Sequence, residues 1–384
     1  SAIGSGVMVI GPLTAGWLLE HFWWGSVFLV TVPLAAIALL FAWRLIPAHV
    51  NETSEPVDNQ GGLLSMVFIA SLVLAINFAP VPNGWGIALA FAVVAVVSGV
   101  LFVRRQRRAE NPLYDLTVVA RRIFWVAAVA GMIVFGTLMG TMYIGQQFMQ
   151  NVLGYDTLSA GAAVLPASIA MVAVAGLSAR MVDARGSRAT LLLGFLFFLL
   201  GFAAMLVLWD VNTPYWAVAL AYMLLGMGVG FAGTPASHSL TASVPVKRAG
   251  MASGTADLQR DLGGAVMQSI LGALLTVGYG AAIASAVASS PQSNLVNDEI
   301  QTQLQKSYAG AEAVGAQYPT YASVIEEAAR KAFLEGSNAA YAAGIIAILI
   351  AVAITWFAYP RKQDELDLVA QYQREDTQSP TGVH

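Results

Sequence analysis

Apolar runs of about twenty residues alternate with short polar breaks along the whole chain. An α-helix rises about 1.5 Å per residue, so each run is long enough to cross the roughly 30 Å hydrocarbon core of a bilayer. In lipid, every backbone N–H and C=O group must be hydrogen-bonded within its own segment, which makes these runs helices. The pattern predicts an all-α polytopic membrane protein with ten spans, namely residues 2–20, 26–46, 62–80, 86–104, 123–147, 158–179, 189–208, 214–234, 252–278 and 338–359.

Positive charge is distributed unevenly between the loops. Of the 19 Lys and Arg residues, sixteen fall in alternate loops, beginning with the loop of Arg44. The other three, Lys306, Arg330 and Lys331, share one long loop on the opposite side. Because cytoplasmic loops carry an excess of Lys and Arg, this asymmetry predicts that both ends of the chain are cytoplasmic.

Three polar segments interrupt or follow the spans. Residues 47–61 are rich in Asn, Glu, Pro and Gly and predict a cytoplasmic linker. Residues 279–337 predict a long extracytoplasmic loop, and residues 363–384 predict a disordered tail.

The long loop carries two apolar repeats at helical spacing. Each predicts a short amphipathic helix, docked on the rim of the bundle or lying at the membrane interface. Docking is favoured because neither repeat is strongly basic. The repeats are Val296, Ile300, Leu304 and Tyr308, followed by Val324, Ala328, Ala329 and Phe333.

The composition narrows the function classes. The chain is 57% hydrophobic and only 11% charged, whereas soluble domains are about 25% charged. It has no cysteine and four His residues, so we expect neither a metal site nor a cofactor. The sequence contains no basic stripe with interleaved aromatic residues, so it does not predict a nucleic-acid partner. The sequence has no Gly-rich phosphate loop, and Ser237-His238-Ser239 lacks a nucleophile elbow, so we expect no enzyme activity.

Several motifs occur in a family-specific order. The first span carries Gly11-Pro12 and Gly16, and the next carries Trp24, Phe28 and Pro33. These residues resemble the antiporter motif of the major facilitator superfamily, a Gly-Pro-x-x-Gly-Gly helix followed by Trp-Arg-Trp-x-Phe-x-x-Asn-x-Pro. Here Ala15, Gly25, Ser26 and Thr31 stand where that motif has Gly, Arg, Trp and Asn.

Later segments are similar to the same family in the same order. They resemble the entry to two extra central helices, the exit from them, the following hairpin and the penultimate helix. The residues are Val57-Asp58 with Gly61; Arg108, Glu110 and Pro112-Leu113; Gln150, Leu153-Gly154-Tyr155, Ala160-Gly161 and Leu165-Pro166; and Pro245, Arg248-Ala249-Gly250, Ala252-Ser253-Gly254, Arg260 and Gly263-Gly264.

The resemblance is to the fourteen-helix branch of drug:proton antiporters, and it implies that the ten spans are the fifth to the fourteenth. It implies the last two helices of an N-terminal bundle in 1–46, a linker in 47–61, two extra helices in 62–122, a six-helix bundle in 123–360 and a tail in 361–384. The family's first four helices would then be absent, including an acidic residue linked to proton coupling.

The implied function is export of amphiphilic or cationic drugs across the bacterial cytoplasmic membrane in exchange for protons, by alternating access. The expected partners are the substrate, protons and the lipid bilayer, and we expect a monomer. Two alternatives remain open: export of a native lipid, siderophore or metabolite, and an inactive truncated product.

The antiporter-like motif provides a candidate gate at Gly11, Pro12 and Gly16. Pro inside a helix removes one hydrogen bond, and small residues allow a neighbouring helix to approach closely. In a transporter, two helices in such close contact can close one side of the substrate path and slide past each other. The alternative is a kinked packing helix with no gating role.

The fifth span presents aromatic, thioether and amide side chains on one face. This mixture is typical of an adaptable cavity for flat organic molecules. The alternative is an interhelical face whose Gln side chains bond to a neighbour, and Asn77 in the third span has the same two interpretations. The candidate cavity residues are Phe135, Met139, Met142, Tyr143, Gln146, Gln150 and Asn77.

Ionisable residues in the ninth span are candidates for coupling or for a cytoplasmic gate. Asp257 and Asp261 share a helix face with Gly264 and Gln268, and Arg260 lies beside them. Acidic groups within a membrane helix are costly, and burial would raise their pKa towards the range of proton exchange. The alternative is a salt-bridge cluster that locks one conformation.

A second cytoplasmic candidate, Asp183, Arg185 and Arg188, resembles a degenerate Asp-Arg-x-Gly-Arg loop motif. Its charges would pair across the gate in one state, or would simply anchor the topology.

Overall fold

The computed structural model describes residues 2–45, 58–81, 84–109, 112–245, 249–291 and 296–378. Regular secondary structure within these ranges is helical, which confirms the predicted fold class. The first helices are α1 (Ala2–His21), α2 (Ser26–Leu29), α3 (Thr31–Leu45), α4 (Asn59–Phe78), α5 (Trp85–Gln106) and α6 (Leu116–Val119). They are followed by α7 (Arg122–Gln147), α8 (Thr157–Ala163), α9 (Leu165–Arg185), α10 (Ser187–Leu208) and α11 (Tyr215–Ala242). The last are α12 (Ala249–Ser289), α13 (Asp298–Lys306), α14 (Tyr308–Gln317), α15 (Ala322–Ala358) and α16 (Lys362–Gln378).

Nine helical segments in the described ranges are long and apolar enough to cross a membrane. They correspond to nine of the ten predicted spans. The remaining prediction, residues 2–20, coincides with α1, which is helical over 20 residues. Two spans are interrupted near a proline, where α3 begins just before Pro33 and α9 just before Pro166. Proline has no amide hydrogen, and the first turn of a helix tolerates that loss.

Helices α12 and α15 are much longer than the spans predicted for them. With 41 residues, α12 is about 60 Å long, roughly twice the hydrocarbon thickness. The parts of both helices beyond the apolar spans pack with α13 and α14 into a helical cap, formed by residues 279–291 and 296–337.

The cap confirms one predicted amphipathic helix and corrects the other. Helix α13 directs Ile300 and Leu304 into the core, as the repeat predicted, but it begins at Asp298 and ends at Lys306, so Val296 and Tyr308 of that repeat lie outside it. The second repeat is not a separate helix, because it is the start of α15. Helix α15 continues through Gly336, at the point where α12 crosses it. A Cβ on Gly336 would come within 2.5 Å of the Leu275 carbonyl oxygen, so a glycine allows the two helices to meet there.

The predicted disordered tail is wrong for residues 363–378, which lie in α16 (Lys362–Gln378). Lys362 Nζ donates to the Asp183 carbonyl at the end of α9 (2.6 Å), and Glu365 accepts from the Ser187 amide at the start of α10 (3.1 Å). A cation at a helix C-terminus and an anion at an N-terminus both interact favourably with the helix dipole. Leu368, Val369 and Tyr372 also pack one face of α16 against the core, so polar and apolar tertiary contacts together stabilise this helix.

Close contact between α7 and α12 organises the side of the bundle that carries the candidate residues. A Cβ on Gly136 would lie 2.3 Å from the Gly263 carbonyl oxygen, and a Cβ on Gly263 would lie 2.4 Å from that of Met132. The two backbones are therefore nearly in contact, as small residues permit in membrane helices. Behind them, α10, α11 and α15 enclose Phe202, Tyr222 and Tyr341.

Some predictions fall outside the described residues. They concern the greater part of the linker, three loop positions of the family resemblance, four positions of the long extracytoplasmic loop and the end of the tail. The undescribed positions are 1, 46–57, 82–83, 110–111, 246–248, 292–295 and 379–384.

Candidate functional site

Gln259 fixes α12 to α7 at the level of the candidate charges. Its buried Nε2 donates to the carbonyl oxygens of Ala127 (2.7 Å) and Ala128 (3.1 Å). An amide that bonds to two carbonyls of a neighbouring helix sets both the register and the rotation of the pair. Sequence reasoning missed Gln259, although its place between charged positions marked it as polar inside a span.

The rotation set by Gln259 leaves the charged side chains of α12 on an open face of the bundle. Asp257 and Arg260 form an ion pair at 3.5 Å and are both exposed, and Asp261 is exposed beside them. The Arg260 guanidinium lies 5.2 Å from the centre of the Phe135 ring on α7. Asp257 is thus held by a neighbouring cation and is not buried among the described residues.

A cleft opens between α4, α7 and α12, farther along the same face. Its volume is about 360 Å³, within the usual range for small-molecule sites. Asn77 Nδ2 donates to Ser269 Oγ at 2.8 Å. Tyr143 and Gln268 line the cleft beside this pair. The cleft therefore contains two of the predicted cavity residues, Asn77 and Tyr143, and combines amide, hydroxyl and aromatic groups.

Other predicted cavity residues lie along α7, with different neighbours. Phe135 is buried beneath Arg260. The Met139 side chain is the nearest to the position that a Cβ on Gly264 would occupy. Met142 is partly buried against the core.

Gln146 and Gln150 belong to a different contact. Gln146 Nε2 donates to the Ala160 carbonyl on α8 (3.1 Å), and Gln150 Nε2 donates to Gln146 Oε1 (3.4 Å). In this conformation Gln146 matches the interhelical alternative, because it joins α7 to α8, whereas Gln150 bonds to Gln146 one turn earlier in its own helical segment.

The antiporter-like helix α1 approaches the bundle at Gly16. A Cβ there would lie 2.8 Å from the Thr157 carbonyl oxygen and 3.0 Å from the Leu158 Cα. Around Gly11, nothing lies within 4 Å of a Cβ, and the side chain of Pro12 is outside the described part. The close seam between α1 and α8 is therefore formed by Gly16 in this structure.

The loop-motif residues contact the end of α15 and the start of α16. The Asp183 carbonyl accepts from Lys362, and Arg188 donates to the Trp356 carbonyl (2.6 Å) while its guanidinium lies 5.1 Å from the centre of the Trp356 ring. Arg185 is exposed. In this conformation the contacts of Asp183 and Arg188 are made within the 123–378 part of the chain.

Asp58 joins the ends of the two extra helices. It caps α4 by accepting the Gly61 amide (3.0 Å), and it also accepts from Arg105 Nε (3.1 Å) and Gln106 Nε2 (2.9 Å) at the end of α5. These hydrogen bonds, that of the Gly61 amide first, hold the pKa of Asp58 below its ordinary value.

The same network extends to α12. Gln106 Oε1 accepts the Tyr114 amide at 2.9 Å, and the Tyr114 hydroxyl shares a hydrogen bond with Thr255 Oγ1 at 3.0 Å. Burial raises the pKa of Tyr114 above its ordinary value. Sequence reasoning noted Asp58 but missed Gln106 and Tyr114, since Gln106 stands within a run of arginines that reads as a topological anchor.

Comparisons with known proteins find relatives over most of the chain. Residues 1–268 match the family described as the Major Facilitator Superfamily. The chain is 31% identical to the multidrug efflux pump LfrA of Mycolicibacterium smegmatis, over 92% of this chain and 68% of that protein. It is 28% identical to the methyl viologen resistance protein SmvA of Salmonella typhimurium, over 94% of this chain and 72% of that protein. It is also 31% identical to the multidrug resistance protein Stp of Mycobacterium tuberculosis, over 72% of this chain but only 51% of that protein's length.

Proposed function

This chain belongs to the major facilitator superfamily, and from that premise we propose that it exports amphiphilic or cationic small molecules in exchange for protons. The export would take place across the bacterial cytoplasmic membrane. The names of LfrA and Stp describe multidrug efflux and multidrug resistance, and that of SmvA describes resistance to methyl viologen; all three support this choice of cargo.

One observation carries the proposal: a polar and aromatic cleft and a set of carboxylates lie on the same open side of α12. Gln268 lines the cleft, and Asp257 lies eleven residues earlier on the same helix, about 16 Å away. Tyr143 offers an aromatic ring to a cation, while Asn77 offers an amide. A substrate bound in the cleft and a proton bound to a carboxylate can therefore both act on α12 without competing for the same residue.

In the proposed mechanism, α7 and α12 move as one unit, because Gln259 and the Gly136–Gly263 contact join them. Protonation of Asp257 removes its charge and with it the pairing to Arg260. Loss of this ion pair changes the free energy of the conformation that contains it, and so shifts the equilibrium between inward-open and outward-open states. The seam between Gly16 and Thr157 would open and close in the same cycle.

The orientation is part of the proposal. By their place in the sequence, sixteen of the 19 Lys and Arg residues belong to the same set of alternate loops as the C-terminal segment, which supports a cytoplasmic position for both ends of this chain. The helical cap would then lie on the extracytoplasmic side.

The test is ethidium efflux by the full-length gene product in cells lacking other exporters. We expect efflux that a protonophore abolishes, with tetraphenylphosphonium as a competing substrate. Saturable export of a lipid or siderophore without any effect on ethidium would contradict the proposed cargo. Efflux that persists after collapse of the proton gradient would contradict the proposed coupling.

A further inference from the structure

The helical cap contains an apolar pocket that is separate from the cleft beside Asn77. Its volume is about 450 Å³. Four elements enclose it: the end of α12, α13, the end of α14 and the start of α15. Representative lining residues are Ile283, Val287, Ile300, Leu304, Tyr318 and Tyr321.

The walls and the rim of the pocket differ in chemistry. Ile283 and Leu304 are buried, so the floor is dry and aliphatic. Tyr318 and Tyr321 are partly exposed, and Val324 beside them is 58% exposed. Such a site stabilises an apolar ligand by burial, and tyrosine rings at the rim are suited to contact a cationic group.

The charge of the cap is acidic. Among the described residues 279–291 and 296–337 there are six carboxylates and three basic side chains. Two basic residues are already neutralised, since Arg330 pairs with Glu326 (2.9 Å) and Lys331 pairs with Glu327 (2.7 Å). Asp298 and Glu299 directly precede the lining residue Ile300. The field around the pocket therefore favours cations over anions.

We propose that this pocket binds a hydrophobic monocation, with its apolar part among Ile283, Val287 and Leu304 and its charge at the tyrosine rim. The proposal rests on the proposed function for the source of the ligand, because the pocket would hold exported cargo on the outlet side. The size, the lining residues and the charge of the pocket do not depend on that function. The test distinguishes this ligand from two others, a neutral acyl chain and a hydrophobic anion.

The test uses thiol protection, which the chain allows because it contains no cysteine. Val324→Cys places a thiol at the mouth of the pocket, and Ala288→Cys places a control thiol on an exposed position of α12 outside it. Each variant of the full-length protein, with any cysteine outside this chain replaced, is alkylated by a water-soluble maleimide. The probes are tetraphenylphosphonium and tetraphenylborate, which have the same shape and opposite charge.

We expect tetraphenylphosphonium at about ten times its Kd to slow alkylation of Val324→Cys about tenfold, by occupancy. Alkylation of Ala288→Cys should not change, and tetraphenylborate should protect neither thiol. Adding Ala286→Phe, which fills the pocket, should abolish the protection, whereas Ala281→Phe on an exposed position of the same helix should not.

Equal protection by tetraphenylborate, or protection by a neutral acyl chain alone, would overturn the assigned ligand class. Protection by no probe would overturn the site. Because thiol protection is read without transport, either result leaves ethidium efflux as a separate measurement. Efflux without protection contradicts only the pocket, and protection without efflux contradicts only the proposed export.

Discussion

The Asp58 carboxylate accepts a hydrogen bond from the Gln106 side-chain amide at 2.9 Å, and this contact joins the beginning of α4 to the end of α5. The residues are separated by 48 positions in the sequence, yet both are buried. Through Tyr114 and Thr255 the same network reaches α12, so the extra helices and the helix of Asp257 share one polar connection.

Asp58→Ala should lower the midpoint of thermal unfolding, because it removes the cap of α4 and leaves Gln106 without its acceptor. Thermal unfolding of the purified protein in detergent measures this. Asn59→Ala, at the exposed neighbouring position, is the control and should have little effect. Equal midpoints for the two variants would contradict the role of Asp58.

The contribution of Asp58 should depend on pH in a defined direction. Its pKa in the folded protein is held below the ordinary value of 3.8, so its stabilisation is complete above that value and is lost as the pH falls through the lowered pKa. The difference in unfolding midpoint between the natural protein and Asp58→Asn should therefore be largest near neutral pH and shrink on acidification. A difference that grows at acidic pH would contradict this account.

Gly263→Ala should destabilise the bundle by about 1–3 kcal/mol, because the added methyl group would meet the Met132 carbonyl oxygen at 2.4 Å. Gly254→Ala on the same helix has nothing within 4 Å and should be neutral or stabilising by up to about 1 kcal/mol, through helix propensity. Denaturant unfolding measures both. A Gly263→Ala variant that is no less stable than Gly254→Ala would show that the α7–α12 contact is looser than described.

Gly16→Ala should impair transport, whereas Gly11→Ala should be tolerated. Only at Gly16 would the methyl group meet a neighbouring backbone, that of Thr157. Overpacking by about 1.4 kcal/mol in one conformation would change its population about tenfold, and initial rates of ethidium efflux measure the consequence. Impairment at Gly11 with normal rates at Gly16 would place the seam elsewhere.

Asp257→Asn should reduce proton-dependent efflux to the level of cells without the protein, because the amide cannot exchange a proton or pair with Arg260 as a carboxylate does. Membrane levels, measured by immunoblot, should not change. Asp210→Asn, in the exposed turn after α10, is the control and should keep normal efflux. Unchanged proton-dependent efflux in Asp257→Asn would remove this residue from the coupling mechanism.

The apolar pattern alone determined the fold class and the approximate positions of the helices. Its physical basis is local, since lipid forces each long apolar run to satisfy its own backbone hydrogen bonds. The sequence also identified Asp257, Arg260 and Asp261 as charges inside a span, because ionisable residues are rare in membrane helices and stand out in an apolar run.

Only the tertiary structure decided which surfaces these residues occupy. Gln259 and Gly263 turn α12 so that Asp257 faces outward, and neither effect can be read from one helix, because the partners are the carbonyls of α7. Gly11 and Gly16 look equivalent in the sequence, but only Gly16 meets another helix. The order of α16 and the pocket in the cap likewise arise from contacts between segments far apart in the chain, which no local pattern encodes.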